Sequence, residues 1–316
     1  MNIGFQIDAV ESLNIQTDSS LPLALESQKR QNKNFCYLPS TLTYKNNTVY
    51  AEGREIYFNN NRLENFKLTK KVSIKLDTLD YIFVRQDPPY NMEYISSLHI
   101  LEQLADKVKI INNPKGIRNA PEKISMLAFK KIIPPTMITK SSSEVAKFIK
   151  RFGKAIIKPL YGNGGESIFL LDANDKNYNQ IIENFINCRT EPFIIQKFLP
   201  EVRKGDKRII LLDGEPIAAI KRIPPVNDIR ANIHVGGKSR AVKISKQDII
   251  ICNEIRGFLK KEGLFFVGID IIGNFLTEIN VTSPTCIQEI KKLHKLDISK
   301  LIWDRLTKKN NSLNFK

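Results

Sequence analysis

The chain has 316 residues, enough for two or three structural units with a substantial core. At 42% hydrophobic and 26% charged residues it has the make-up of a soluble globular protein. No apolar run approaches the ~18 residues that span a bilayer, so no membrane partner is expected. The formal charge of +16 raises the question of nucleic acid. Yet the lysines spread along the whole chain, often beside Asn, with no aromatic-interleaved basic motif or zinc-finger spacing. A drift of composition toward Lys and Asn accounts for the charge, and no nucleic-acid partner is expected. Such a field also draws in small anions. The start, Met1 to Asp8, reads as a strand rather than a signal peptide. Cys36, Cys188, Cys252 and Cys286 are far apart, which suggests neither a disulfide framework nor a zinc site. A reducing cytoplasm is the simplest setting.

Residues 1–119 alternate between strand and helix patterns, the mark of a parallel α/β layer. Strands are expected at Asn2–Ile7, Phe35–Leu38, Tyr81–Val84 and Val108–Ile111, with a β-rich excursion over Thr48–Glu64. Asp18-Ser-Ser20 is set to cap a helix running to about Lys33, and Met92–Asp106 is a second helix. Arg85-Gln-Asp-Pro-Pro-Tyr90 falls at the carboxyl end of a strand, where open sheets of this kind bind ligands. Its paired prolines stiffen the loop that holds Arg85 and Asp87, although a plain Pro-Pro turn fits the same residues.

Beyond Asn113-Pro114 the pattern changes. Arg118 to Lys123 leads into an expected helix, Lys123–Lys131, and Thr136–Thr139 is a strand. Ser141-Ser-Ser-Glu144 is a capping-box signature for a helix to about Phe152. The strand Ala155–Lys158 then meets Gly162-Asn-Gly164-Gly165. This is no P-loop, because Gly-Lys-Ser/Thr is missing and a strand follows. It reads as a glycine flap whose backbone N–H groups can approach an anion, or as a tight turn. Further on come a helix at Asn177–Ile186, a strand at Phe193–Leu199 and a charged turn at Arg203–Arg208. That turn runs into a hairpin, Ile209–Leu212 with Pro216–Ile223, and then a long loop, Pro224–Lys238. Gln247–Gly263 is an amphipathic helix, and Ile287–Lys308 is mostly helical.

The last hairpin carries the strongest chemistry. Phe266–Ile272 and Leu276–Val281 read as strands around Gly273-Asn274. With an odd-length loop, Asp270 sits opposite Glu278, and Asn280 follows on the same face. Two carboxylates and an amide carbonyl are hard oxygen donors of the kind Mg²⁺ takes. A wet polar hairpin face is the ordinary alternative, but Asp, Glu and Asn are all disfavoured in strands otherwise rich in Ile and Val.

The order of these parts resembles the ATP-grasp superfamily of carboxylate–amine ligases, and within it the bacterial glutathione synthetases. The likeness rests on Arg85-x-Asp-Pro-Pro, Gly162-x-Gly-Gly-x-Ser-Ile-Phe169, Gly205-Asp-Lys-Arg208 and Asp213-Gly-Glu-Pro216. It rests most on Phe266 to Gly273 and on Leu276-Thr-Glu-Ile-Asn-Val-Thr-Ser-Pro-Thr-Cys-Ile287. The resemblance covers nearly the whole chain. It implies an α/β (α+β) ATP-grasp fold preceded by a Rossmann-like parallel α/β domain, divided at 1–119, 120–200 and 201–316. It implies that ATP phosphorylates the cysteinyl carboxylate of γ-glutamylcysteine and that glycine's amine then displaces phosphate.

By the same resemblance Asp270, Glu278 and Asn280 hold Mg²⁺ or Mn²⁺. Lys123, Lys158, Gly162, Gly164 and Gly165 hold the ATP phosphates. Gln196, Lys197, Phe198 and Leu199 line the adenine, and Asp206 takes the ribose hydroxyls. Arg208, Arg230 and Asn280 act on the reacting groups. Arg85, Asp87, Arg222, Asn232, Ser283, Pro284 and Thr285 contact substrate. A homo-oligomer, dimer or tetramer, is implied as well. Tyr161, Glu166 and His234-Val235 depart from the family's usual residues, and Cys286 is given a packing role.

Overall fold

The computed structural model describes residues 1–162, 164–175, 177–226, 228, 230–231 and 236–313. Expectations for Asn232 and for His234-Val235 lie outside the described residues.

Among the described residues the strands form three sheets. The first has a parallel centre in the order Lys33–Tyr37, Asn2–Gln6, Tyr81–Val84, Lys109–Ile111. Tyr81–Val84 is an unbroken apolar run, buried throughout, as a central parallel strand covered on both faces should be. Thr48–Phe58 pairs antiparallel with Lys33–Tyr37 and gathers three short strands around itself, so the β-rich excursion extends the sheet. The helix Ser20–Lys29 is shorter than expected, and Asp18 accepts from Leu21 N at 2.6 Å at its start. Met92–Glu102 begins on Asn91, whose side chain accepts from Tyr94 N.

The second sheet, ordered Phe169–Asp172, Lys154–Pro159, Phe193–Lys197, Thr136–Thr139, is antiparallel. Ser142–Phe152 and Tyr178–Asn187 cover it, burying Val145, Ile149, Ile182 and Phe185 against Ala155, Ile157 and Phe193. The third sheet runs Lys238–Val242, Glu215–Ile223, Asp206–Leu212, Phe266–Ile272, Phe275–Asn280, all antiparallel. Lys246–Lys261 opens with a full capping box, Ser245 with Asp248.

Two sequence expectations are corrected and two segments gain detail. Lys123–Lys131 is not a helix: only a short 3-10 turn forms at Ser125–Ala128, and Lys123 lies in the irregular segment before it. The charged stretch after Pro200 is a 3-10 turn, Pro200–Lys204, and the strand already begins at Asp206. Lys238–Val242 is an edge strand, which its charges concealed. The C-terminal region is mostly helical as expected, in two helices, Ile287–His294 and Ile298–Leu313, broken at Lys295 in left-handed geometry.

The last helix returns to the first sheet. Trp303 is fully buried, its ring 5.3 Å from Phe83 and 5.9 Å from Tyr81. Its Nε1 donates to Leu23 O at 3.0 Å. Asn112, just past the first sheet, joins that sheet to the third. Its Nδ2 donates to Phe266 O (2.8 Å) and Val281 O (2.9 Å), and its Oδ1 accepts from Phe266 N (2.7 Å). One buried amide thus fixes both ends of the last hairpin. Among the described residues, no helix is long and apolar enough to cross a membrane.

Trp303→Ala is expected to cost about 3–5 kcal/mol, as other large buried aromatics do. Denaturant unfolding followed by circular dichroism checks this, and a loss below about 1 kcal/mol contradicts the packing described.

Candidate active site

Charged residues line up across one face of the third sheet. Arg222 stands opposite Asp206, Arg208 opposite Asp270, and Asp270 opposite Glu278. Asp206 and Arg208 are two apart on one strand, so all five side chains share a face. Arg208 bonds Asp270 twice, Nε to Oδ1 at 2.5 Å and Nη2 to Oδ2 at 2.9 Å. Arg222 bonds Asp206 twice, at 2.8 and 2.6 Å, and reaches Asp270 Oδ2 at 2.9 Å. Burial works against charge on Asp270, but Arg208 and Arg222 beside it hold its carboxyl well below the usual carboxylate range. Planar guanidiniums suit this two-point grip.

The opposition of Asp270 and Glu278 is as expected from sequence, but its cause differs. The turn is the two residues Gly273-Asn274, with Ile272 facing Phe275. An irregularity between Asp270 and Ile271 then shifts the register by one. Thr277 is the extra residue of this bulge, and its Oγ1 donates to Asp270 O at 3.1 Å. Like charges directly opposite repel. Lys123 relieves this by pairing with Glu278 at 2.9 Å. Lys123 also donates to the flap carbonyl of Gly162.

Two clefts meet over this row. The larger, about 930 Å³, is lined by Lys123, Lys158, the flap glycines 162, 164 and 165, and the strand end Gln196–Leu199. Asp206, Arg230, Asp270 and Glu278 complete it. The smaller, about 750 Å³, is lined by Asp87, Arg208, Asn280, Ser283 and Thr285, with Thr17, Glu122, Thr282, Cys286 and Glu289. Gly164, Arg222 and Glu278 belong to both. Gly164 takes φ +63°, which a glycine adopts freely.

Most of the expected cofactor and metal positions therefore converge, but several expected contacts look different in detail. Asp206 lines the large cleft with both carboxylate oxygens already on Arg222. Two oxygens offer about four acceptor sites, so room for a further donor remains. Arg230 lines the large cleft rather than the smaller one, and its side chain folds back on Asp228. Arg85 lines neither cleft. It is buried, its Nε donates to Ser20 Oγ at 3.2 Å, and its guanidinium lies 5.3 Å from the Phe266 ring centre. Its main-chain carbonyl meets Ser283 Oγ instead. Pro284 lines neither cleft and packs beside Gly268. Tyr161 stacks on Tyr90 with centroids 5.9 Å apart and does not line the large cleft, while Glu166 does. Cys286 is buried and its thiol pushed up by that burial, yet it also lines the smaller cleft.

Glu122, Thr17 and Glu289 are lining residues that sequence reasoning missed. Only Glu122 carried a signal, its place beside Lys123. No group of three or more His, Cys, Asp or Glu able to hold a metal occurs among the described residues. A magnesium-type site takes one or two carboxylates and completes its shell from phosphate and water. The donor set Asp270, Glu278 and Asn280 is all oxygen on one face, and fits such an ion.

The family model for the prokaryotic glutathione synthetase N-terminal domain matches residues 1–118, and that for the ATP-grasp domain of the same enzymes matches residues 122–295. The chain belongs to the prokaryotic glutathione synthetase family. It is 42% identical over 314 residues to glutathione synthetase of Agrobacterium fabrum, covering 99% of this chain and 98% of that protein. It is 39% identical to the glutathione synthetase of Buchnera aphidicola subsp. Schizaphis graminum, covering 98% and 97%. Among solved structures, D-cycloserine synthetase DcsG superposes with a TM-score of 0.65 at 12% identity, over 90% of this chain and 92% of that one. The ATP-grasp ligase PsnB, complexed with a minimal precursor, Mg and ADP, gives 0.62 at 14% identity over 97% of each chain. Both likenesses show the ATP-grasp fold.

Burial pushes the Lys158 ammonium down to about 8, with Glu278 pulling the other way. Below that pH Lys158 is charged and ready for a polyphosphate; above it, binding must draw a proton from solvent. The affinity for a non-hydrolysable ATP analogue is therefore expected to be flat below pH 8 and to fall by up to about tenfold per unit above it. Lys158→Arg should remove the fall, because its charge persists. Calorimetric titration from pH 7 to 9.5 checks this. An unchanged affinity, or the same fall in the arginine variant, contradicts it.

Proposed function

We propose that the chain is an ATP-dependent ligase that joins glycine to the cysteinyl carboxylate of γ-L-glutamyl-L-cysteine, giving glutathione, ADP and phosphate. Membership of the family, at 36–42% identity over nearly full length, carries this reading. The meeting of two clefts over one row of charges supports it chemically. One cleft suits a nucleotide and the other an anionic acceptor, and the γ-phosphate and the carboxylate meet at their junction. The three-part division at 119/120 and 200/201 rests on each part holding one sheet.

In this reading the strand end Gln196–Leu199 receives the adenine at the far end of the large cleft, and Asp206 the ribose. Lys123 and Lys158 face the phosphates, with the backbone N–H groups of the flap above them. Preorganised cations of this kind lower the cost of charge developing during transfer. Asp270, Glu278 and Asn280 would hold Mg²⁺ or Mn²⁺, which when bound offsets phosphate charge and draws electron density from the transferred group. Arg208 and Arg222 stand where the substrate carboxylate must arrive, and a planar cation suits its spread charge. Asp87, Ser283 and Thr285 supply polar walls for the peptide. The carboxylate oxygen attacks the γ-phosphorus and ADP leaves. Glycine's amine then attacks the carbonyl carbon, phosphate leaves, and the amine loses its protons to solvent or a nearby base. An acyl phosphate hydrolyses if water reaches it, which gives the flap glycines 162, 164 and 165 a protective role.

An ADP-release assay with γ-glutamylcysteine and glycine together is expected to exceed either substrate alone by at least tenfold. Equal rates overturn this substrate assignment. Asp270→Asn or Glu278→Gln is expected to cut turnover by at least ~100-fold at saturating Mg²⁺. Near-parental turnover overturns the ligand assignment.

A further inference from the structure

The strand Phe275–Asn280 is the edge of the third sheet, and an edge strand leaves its outward N–H groups without a ladder. Ile132 O takes Leu276 N at 2.7 Å, and Glu122 takes the groups at the strand's end and just beyond it. The main-chain carbonyl of Glu122 accepts from Ile279 N at 3.1 Å. Its side-chain Oε1 accepts from Val281 N at 3.0 Å, Thr282 N at 3.3 Å and Thr282 Oγ1 at 2.8 Å. These four bonds bracket Asn280 and lead straight into Ser283. The next residue, Lys123, grips the same strand from its face through Glu278 and reaches the flap carbonyl of Gly162. Glu122 also lines the smaller cleft beside Asn280 and Thr282.

We propose that Glu122 is a positioning residue for the acceptor side of the reaction. It stands in for the missing neighbour strand and sets the placement of Asn280 and of the Thr282–Ser283 wall. The inference rests on the ligase reading above for its kinetic consequences, but not for its structural one. Buried main-chain N–H groups need partners, and a carboxylate oxygen shared by three donors fixes their positions together. The large cleft is held by other residues, so loss of Glu122 falls on the acceptor. Supporting groups of this type are worth about 10–100-fold when removed.

The test compares Glu122→Ala with Glu122→Gln, whose amide oxygen can accept the same three bonds. Amide hydrogen exchange reads the placement without reference to any substrate. The alanine variant should exchange at Val281 and Thr282 at least tenfold faster, with Ile269 and Ile271 unchanged. Its kcat/KM for γ-glutamylcysteine and glycine should fall by about 10–100-fold, while its affinity for an ATP analogue stays within about threefold. Glu122→Gln should recover to within about fivefold with a parental pH profile. Unchanged exchange at Val281 and Thr282 overturns the proposal. So does a parallel loss of analogue affinity, which makes Glu122 a support of the whole site. Glu122→Gln as poor as alanine with a shifted pH profile moves Glu122 into proton transfer instead. If the alanine variant does not fold, Glu122→Asp, retracted by one methylene, replaces it with the same expectations. A parent chain inactive on these substrates overturns the ligase reading alone and leaves the exchange result to stand or fall by itself.

Discussion

The rest of the site depends on the grip of Arg208 and Arg222 on Asp270. All three side chains are buried, at 3–4% exposure. A lone buried carboxylate would be neutralised or expelled, since desolvation of an unpaired ion costs several kcal/mol. The two guanidiniums keep it ionised and in place. They can do so because antiparallel pairing sets the partners directly across from one another, Asp206 with Arg222 and Arg208 with Asp270. The pairing also defines what a ligand must replace. A cation arriving at Asp270 competes with the arginines, and an anion arriving at the arginines competes with Asp270. Substrate carboxylate and metal together satisfy both sides, whereas either alone leaves a buried charge less well paired.

Such a row has to be held still, and the holding groups lie on distant parts of the chain. Asn112, at the edge of the first sheet, ties both ends of the last hairpin. Trp303, on the final helix, locks that helix onto the first sheet through Phe83 and Tyr81. Glu122 and Lys123 clasp the hairpin's edge and face. The second sheet contributes the opposite wall of the nucleotide cleft. Its Lys158 crosses to the bulge, Nζ to Thr277 O at 3.5 Å. The nucleotide cleft is thus a boundary between two sheets rather than a pocket within one, and the glycine flap is the part of its wall with the fewest side chains.

Much of this was legible in the chain. The strands at Tyr81–Val84, Thr136–Thr139 and Phe266–Ile272 follow from apolar runs bounded by turn residues, and the structure keeps those bounds. The pairing of Asp270 with Glu278 was legible too, but through the wrong turn. A bulge at Thr277 restores the register that a two-residue loop alone would break, and alternation of side chains carries no sign of a bulge. The helix expected from Lys123 gives way to i→i+3 turns, and the carbonyls that flank the segment, Glu122 O and Ile132 O, accept from the hairpin's edge. Asp206 and Arg208 looked like a turn because charges are rare in buried strands; their partners, Arg222 and Asp270, are 16 and 62 residues away. Arg85 looked like a clamp from its loop, yet its side chain turns inward to Ser20 and Phe266. Glu122 offered only its place beside Lys123, since its side-chain contacts are about 160 residues distant.

The central claim is that this row of paired charges is the phosphate and metal end of an ATP site. A crystal grown with Mn²⁺ and a non-hydrolysable ATP analogue tests it most directly, through anomalous difference density. The account predicts a manganese peak within bonding distance of Asp270 and Glu278, with the analogue's terminal phosphates between it and Lys158. A nucleotide bound elsewhere, or manganese absent from Asp270 while the analogue is present, would contradict it.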